Sequence, residues 1–154
     1  MNADPSGETL FEGKVLVRQL PEFQGAQSAT APASKRLQLP QGELAQVWNS
    51  PEGARYIAAI ELRPGAIRGN HFHRSKFEMV YVIRGTARFI FEELQTGKRA
   101  AILARAGCLV QVQPQVAHAI VAESEGWALE FSPGLYNPED VYRHVVTPPQ
   151  TRMA

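Results

Sequence analysis

The chain has 154 residues, with 16 lysine and arginine residues against 15 acidic ones and a net charge of +1 at neutral pH. This length predicts one domain with a real core, and the balanced charge excludes the broad basic surface that recruits nucleic acid or an anionic membrane. No apolar stretch approaches the length of a membrane span, and the first residues lack signal-peptide features. The single cysteine, Cys108, excludes an internal disulfide. We therefore expect a cytoplasmic protein.

Residues 1–42 are predicted to form an N-terminal arm that is partly irregular. Prolines interrupt any long element in this part of the chain, and residues 24–34 are rich in alanine, glutamine, serine and proline. The apolar run at residues 15–17 is a candidate for a short edge strand, which would cover an edge of its own barrel or of a partner's. We therefore expect a homodimer.

Residues 43–132 are predicted to form a β-barrel, because short strand-like runs recur there between glycine and proline turns. The predicted strands are 44–48, 56–62, 77–83, 86–91, 99–103, 108–112, 118–122 and 127–131. Residues 133–154 are predicted to form a C-terminal tail. The best helix candidate is 139–146, since Asn137 and Pro138 are typical of a helix start.

Four residues predict a metal site. His71 and His73 are two apart, so on a strand both imidazoles point to the same side. Glu78 begins an apolar run that predicts a neighbouring strand, and His118 follows about one hairpin later. An unpaired carboxylate at the start of a buried strand is costly, which favours metal binding over structural histidines. Imidazole and carboxylate without thiolate suit one divalent ion of Zn, Fe, Mn, Ni or Cu, and do not select among them.

The same residues carry a family resemblance. The pattern Gly65-x5-His71-x-His73-x4-Glu78-x6-Gly85 resembles the first signature motif of the cupin superfamily, with every named position present. The resemblance covers about residues 43–132. It implies an all-β fold, a double-stranded β-helix or jelly-roll barrel, with the irregular arm before it and a short helix or tail after it.

The second cupin motif is matched in part. Gly107 and His118 have the expected spacing, but Gln113 and Gln115 stand where a proline and a glycine are typical. Ala122 replaces the usual asparagine. The resemblance therefore keeps His118 as the fourth metal ligand and leaves the path of this loop open.

Two basic residues and two candidate acid–base residues complete the sequence prediction. Arg74 and Lys76 flank the histidine pair and are interpreted as solvated strand ends. Glu130 and Tyr56 lie on predicted strands and are the candidate catalytic residues for proton transfer.

Residues 67–73, Ile-Arg-Gly-Asn-His-Phe-His, are similar to the RGxHxH run of cupins that process nucleotide sugars and capsular polysaccharide precursors. This resemblance implies a metal-assisted isomerase or epimerase whose small-molecule substrate is a carbonyl-bearing sugar. The metal would polarise the keto oxygen while Glu130 or Tyr56 moves the α-proton. Two alternatives stay open: a metal-dependent dioxygenase of a small enol or aromatic substrate, and a non-catalytic ligand-binding or sensor module.

Overall fold

The computed structural model describes residues 7–26 and 33–149. These residues form fourteen β-strands and two single-turn 3-10 helices, at Phe11–Gly13 and Pro138–Asp140. The strands are β1 (Gly7–Leu10), β2 (Val15–Gln19), β3 (Glu22–Gln24), β4 (Lys35–Leu39), β5 (Gly42–Gln46), β6 (Tyr56–Leu62), β7 (Ile67–Phe72), β8 (Glu78–Arg84), β9 (Thr86–Glu93), β10 (Arg99–Arg105), β11 (Cys108–Val112), β12 (Val116–Ala122), β13 (Gly126–Ser132) and β14 (Tyr142–Arg143). No helix within the described ranges is both long and apolar enough to cross a bilayer.

Two large sheets enclose the core. The first has the strand order β1-β2-β11-β8-β13-β6 and the second the order β10-β9-β12-β7-β14. Val80 and Val82 of the first sheet share one buried cluster with Phe89 and Phe91 of the second. Side chains alternate along β8, so Tyr81 packs on the outer face of the first sheet in a separate cluster. The inner faces of the two sheets therefore form the main core.

The described part of the N-terminal arm is more regular than the sequence predicted. Residues 15–17 belong to β2, which pairs with β1 on one side and with β11 on the other. This run is therefore an interior strand of its own barrel rather than an edge. The prolines do not disrupt the strands because Pro21 lies between β2 and β3, and Pro40 lies in the turn between β4 and β5. Residues 27–32 of the composition-biased stretch lie outside the described residues.

The helix predicted at residues 139–146 is wrong. A single 3-10 turn covers Pro138–Asp140, and the chain then pairs with β7 as strand β14. Asn137 does cap the turn, since its side-chain oxygen accepts a hydrogen bond of 3.0 Å from the Glu139 N–H. The residues that follow are rich in valine, which favours strands, and the edge of β7 offers them backbone partners.

Candidate metal centre and active site

The four predicted metal ligands lie together between the two large sheets. His71 is on β7, His73 follows that strand directly, Glu78 begins β8, and His118 is on β12. One potential ligand atom from each residue lies within 4.8 Å of those of the other three. His73, Glu78 and His118 are buried, and His71 is half-buried. The spacing argument from the sequence therefore agrees with the geometry of the cluster.

A β-bulge in β7 sets His71 against His118. These two residues are register partners, but the next pair is Gly69 with Ala119, so Asn70 is left unpaired. Gly69 and Asn70 both have positive φ, at 88° and 55°. A Cβ atom on Gly69 would lie 2.7 Å from the carbonyl oxygen of His118. Glycine is therefore required here both by the backbone conformation and by the close approach of β12.

Backbone carbonyls fix the orientation of two of the histidine rings. His73 Nδ1 lies 2.6 Å from the Asp140 carbonyl oxygen, and His118 Nδ1 lies 3.1 Å from that of Val116. A carbonyl only accepts hydrogen bonds, so each Nδ1 is the protonated donor. In the neutral ring the lone pair is then on Nε2, which is the atom that faces Glu78.

These two lone pairs meet the oxygens of one carboxylate. His73 Nε2 is 3.2 Å from Glu78 Oε2, and His118 Nε2 is 3.2 Å from Glu78 Oε1. His118 Nε2 is buried and has no hydrogen-bond partner among the described residues. Facing acceptor atoms in a buried site require a positive charge between them. The set of donor atoms therefore fits a divalent cation of the type bound by imidazole and carboxylate.

The pKa values of the candidate ligands also bear on whether they fit a divalent cation. Burial, together with the neighbouring His118, lowers the pKa of His71 to about 4, so this ring is neutral near pH 7. Burial opposes ionisation of Glu78, but His118, His73 and Lys76 outweigh it and hold the pKa of that carboxyl well below its usual value. Burial also disfavours the charged form of His118, yet the Glu78 carboxylate raises its pKa. A metal ion bound by these residues would therefore compete with a proton for His118 Nε2.

A cavity of about 250 Å³ opens beside this cluster. It is lined by three of the predicted ligands and by both candidate acid–base residues, Glu130 and Tyr56. Arg68 is at its wall, and the remaining lining is mostly apolar. A second cavity, of about 240 Å³, lies on the side of His73 and is lined in part by Lys76 and Asp140.

The solvated position predicted for Lys76 is wrong. Its side chain is only 8 % exposed, and its Nζ lies 3.0 Å from Glu78 Oε2 and 2.8 Å from Glu130 Oε1. The same ammonium is 4.8 Å from the centre of the Tyr56 ring. Burial and the Glu78 charge raise the pKa of Glu130, and Lys76 opposes this shift. Lys76 lies in the loop before β8, where strand alternation does not apply, so its inward position could not be inferred from the sequence.

Sequence reasoning also missed Asp140, the residue whose carbonyl holds His73. It lies in the C-terminal tail, outside the predicted barrel, and no local pattern connects it with the histidines. Arg74, by contrast, is exposed as predicted, although its guanidinium lies over the ring of Tyr142, 4.3 Å from its centre.

Comparisons with known proteins extend this description. The family described as the polysaccharide biosynthesis C-terminal domain matches residues 40–137. A curated relative, the UDP-2-acetamido-2,6-beta-L-arabino-hexul-4-ose reductase of Pseudomonas aeruginosa, is 34% identical over 58 residues, which are 38% of this chain and 15% of that protein. The chain thus matches only a small part of the length of this relative.

Two solved structures share the architecture. A mutant of the 3,4-ketoisomerase QdtA from Thermoanaerobacterium thermosaccharolyticum, in complex with TDP-4-keto-6-deoxyglucose, has a TM-score of 0.68 and 14% identity, covering 88% of this chain and 90% of that one. The dTDP-4-dehydrorhamnose 3,5-epimerase from Sulfolobus tokodaii has a TM-score of 0.69 and 16% identity, covering 88% and 79%. At these identities the likeness shows the fold, which is the predicted cupin jelly roll.

Proposed function

The chain belongs to the polysaccharide biosynthesis C-terminal domain family, and on that premise we propose that it is a metal-assisted isomerase or epimerase of a nucleotide-linked keto sugar. The observation that carries the proposal is the shared cavity of about 250 Å³, in which the ligand cluster and the candidate base Glu130 face the same space. The keto sugars named for the curated relative and for the ketoisomerase complex give the substrate class.

In this proposal the metal is held by His71, His73, Glu78 and His118. A divalent ion held there would supply Lewis acidity, the chemistry that polarises a keto oxygen and makes the neighbouring C–H more acidic. The support for these ligands is the buried pair of Nε2 lone pairs that face the Glu78 carboxylate. The apolar part of the cavity lining limits water around the reacting carbons, which strengthens the electrostatic effect.

Glu130 is the proposed base that removes the proton from the carbon next to the carbonyl. Its carboxylate lies at the cavity, where burial and the Glu78 charge raise its pKa and so make it a stronger base, while the hydrogen bond from Lys76 opposes this shift. Return of the proton to the same carbon from the opposite face gives the epimer. Delivery to the neighbouring carbonyl carbon, with the hydroxyl proton moving to the former carbonyl oxygen, gives the ketoisomer. Either outcome leaves the overall composition of the sugar unchanged.

Tyr56 is the proposed second proton-transfer or positioning group. Its ring stacks on Tyr136, with a centroid distance of 5.5 Å, and lies against the Lys76 ammonium. Burial raises the pKa of Tyr56, and the Glu130 carboxylate acts in the same direction. The hydroxyl therefore stays protonated near neutral pH and is available as a hydrogen-bond donor to the substrate.

The decisive experiment is exchange into D₂O with a UDP- or dTDP-linked 4-keto-6-deoxyhexose, followed by proton NMR. We expect metal-loaded protein to incorporate deuterium next to the carbonyl and to form an epimer or ketoisomer. Glu130→Gln should slow this exchange by about 10²- to 10⁴-fold, while Glu139→Gln, an exposed carboxylate elsewhere, should leave it unchanged. Absence of exchange with metal bound would contradict the proposal, and oxygen consumption with an enol substrate would favour the dioxygenase.

We also propose that the chain forms a homodimer through the outer face of the first sheet. Strand β6 is one of the two edge strands of that sheet. Ile57 on β6 and Trp127 on the adjacent strand β13 are 61% and 43% exposed. Exposed apolar side chains beside a free strand edge are typical of contacts between subunits.

A further inference from the structure

The segment between His73 and Glu78 is held by one carboxylate from the C-terminal tail. Asp140 Oδ1 accepts a hydrogen bond of 2.8 Å from the Arg74 N–H. Asp140 Oδ2 accepts bonds of 3.1 Å from Ser75 and 3.0 Å from Lys76. Three successive backbone donors thus converge on one buried side chain, so that this turn is fixed from outside the barrel.

The backbone of the same residue holds the metal-ligand ring itself. The Asp140 carbonyl oxygen accepts the hydrogen bond of 2.6 Å from His73 Nδ1. This bond keeps the proton on Nδ1 and leaves the Nε2 lone pair directed at the ligand cluster. Acceptors of this kind orient metal-binding histidines and raise their basicity.

The tail that carries Asp140 is itself tied to β7. The Asn70 side-chain oxygen accepts hydrogen bonds of 2.9 Å from the Val146 N–H and 3.2 Å from the Thr147 N–H. Strand β14 pairs with β7, and the Tyr142 ring stacks on Phe72 at 5.1 Å. The position of Asp140 is therefore defined relative to the strand that carries His71.

We infer that Asp140 is a positioning residue for the metal site, which sets the direction of His73 through its carbonyl and the path of residues 74–76 through its carboxylate. The inference rests on the proposed function only in taking the four side chains as metal ligands. Asp140 lies beyond residues 40–137, the part of the chain that the family matches. The tail thus completes a site whose ligands all come from the barrel.

The test compares metal affinity in Asp140→Asn with that in Glu139→Gln. Asparagine keeps the size of the side chain but replaces one acceptor oxygen with an NH₂ group, which cannot accept the backbone N–H bonds. We expect the dissociation constants for Zn²⁺ and Co²⁺, measured by competition with a chelator, to rise by about 10- to 100-fold. Glu139→Gln removes the neighbouring exposed carboxylate and should leave both constants unchanged.

Nitrogen-15 NMR of the metal-free protein provides the readout that a general loss of stability would not change. Wild-type His73 should be in the Nδ1–H tautomer, with a slowly exchanging ring proton. Asp140→Asn keeps the backbone carbonyl but loosens residues 74–76, so the same ring proton should exchange faster with water. A folded Asp140→Asn variant with wild-type metal affinity would overturn the inference. So would a wild-type His73 protonated on Nε2, even if the variant fails to fold.

The same measurements separate this inference from the proposed function. Wild-type protein that takes up neither ion would overturn both together. A loss of affinity in Asp140→Asn, combined with metal-loaded wild-type protein that converts no keto sugar, would support the role of Asp140 and overturn only the proposed reaction.

Discussion

At the scale of single residues, the chemistry of the site depends on the groups that compensate the negative charge of Glu78. Its carboxylate is buried and faces two imidazoles and the Lys76 ammonium. Such a carboxylate is stable only when its charge is compensated. The ammonium also reaches Glu130, so the ligand cluster and the proposed base are electrostatically connected.

His73→Ala should abolish binding of one metal ion per chain while the barrel stays folded. The variant removes one of the two Nε2 atoms that face Glu78, and His73 lies after β7 rather than within the apolar core. Elemental analysis after dialysis, together with circular dichroism, measures both properties. The matched control is His144→Ala, because His144 pairs with Glu92 outside the ligand cluster. Full metal occupancy in the His73 variant would show that the ligand assignment is wrong.

Glu93 should make the stability of the fold depend on pH. The Lys14 ammonium at 2.6 Å, with hydrogen bonds from Thr96, lowers the pKa of this carboxyl to about 2 from its ordinary 4.5. A lowered pKa stabilises the fold above pH 4.5, and this contribution is lost as the pH falls toward 2. Urea unfolding should therefore show wild-type protein to be more stable than Glu93→Gln at neutral pH, with the difference shrinking through this acidic range. A difference that does not vary with pH would contradict the assignment.

At the scale of elements, the bulge in β7 is the feature that brings two strands together at the proposed metal site. It lets His71 stand opposite His118 while the Asn70 side chain turns toward the tail. Asparagine tolerates positive φ better than most residues, and glycine tolerates it best. Backbone geometry alone therefore accounts for the presence of glycine at position 69 and asparagine at position 70.

Substitution of Gly69 by alanine should be more harmful than the same change at Gly97. Both residues have positive φ, but a Cβ on Gly97 meets nothing within 4 Å, whereas one on Gly69 approaches the His118 carbonyl at 2.7 Å. We expect Gly97→Ala to lower the free energy of unfolding by about 1 kcal/mol and Gly69→Ala by about 2–4 kcal/mol. Denaturant unfolding measures both, and only Gly69→Ala should weaken metal binding as well. Equal effects of the two substitutions would contradict this account.

At the scale of the whole molecule, the strands predicted from the sequence were those with a clear run of apolar or aromatic residues. Strands β8 and β9 were predicted from their apolar and aromatic runs, and the jelly roll from the resemblance to cupins. The metal-site argument assumed a strand at His71 and His73, but β7 had no predicted bounds because Gly69 and Asn70 interrupt the strand pattern before it. Strand β14 was mistaken for a helix because its pairing with β7 depends on a partner about seventy residues away.

The site was predictable to the extent that its residues lie in one motif. Alternation along a strand related His71 to His73. Glu78 was added from the apolar run that it begins, and His118 from its place one hairpin later and the resemblance to the second cupin motif. Lys76 and Asp140 were missed for a different reason. Their roles depend on Glu130 and on the C-terminal tail, whose positions are set by tertiary packing rather than by a local pattern.

The outer face of the first sheet leads to the last prediction. The small sheet β3-β4-β5 and the segment after it pack near Tyr81 and Phe131. Ile57 on the edge strand β6 and Trp127 on the neighbouring strand β13 remain exposed. Burial of large aromatic and aliphatic side chains provides much of the energy of subunit contacts. We therefore expect light scattering to give the mass of a dimer for wild-type protein and that of a monomer for Trp127→Glu.

Leu103→Glu provides the control for that measurement. Leu103 is 48% exposed and lies on β10, an edge strand of the second sheet, so the substitution adds the same charge to an exposed apolar position on the other sheet. It should leave the dimer intact. Dissociation by Leu103→Glu instead of Trp127→Glu would move the contact to the second sheet. A monomeric wild-type protein would mean that both exposed faces are simply solvated, and that each barrel holds its site without a partner.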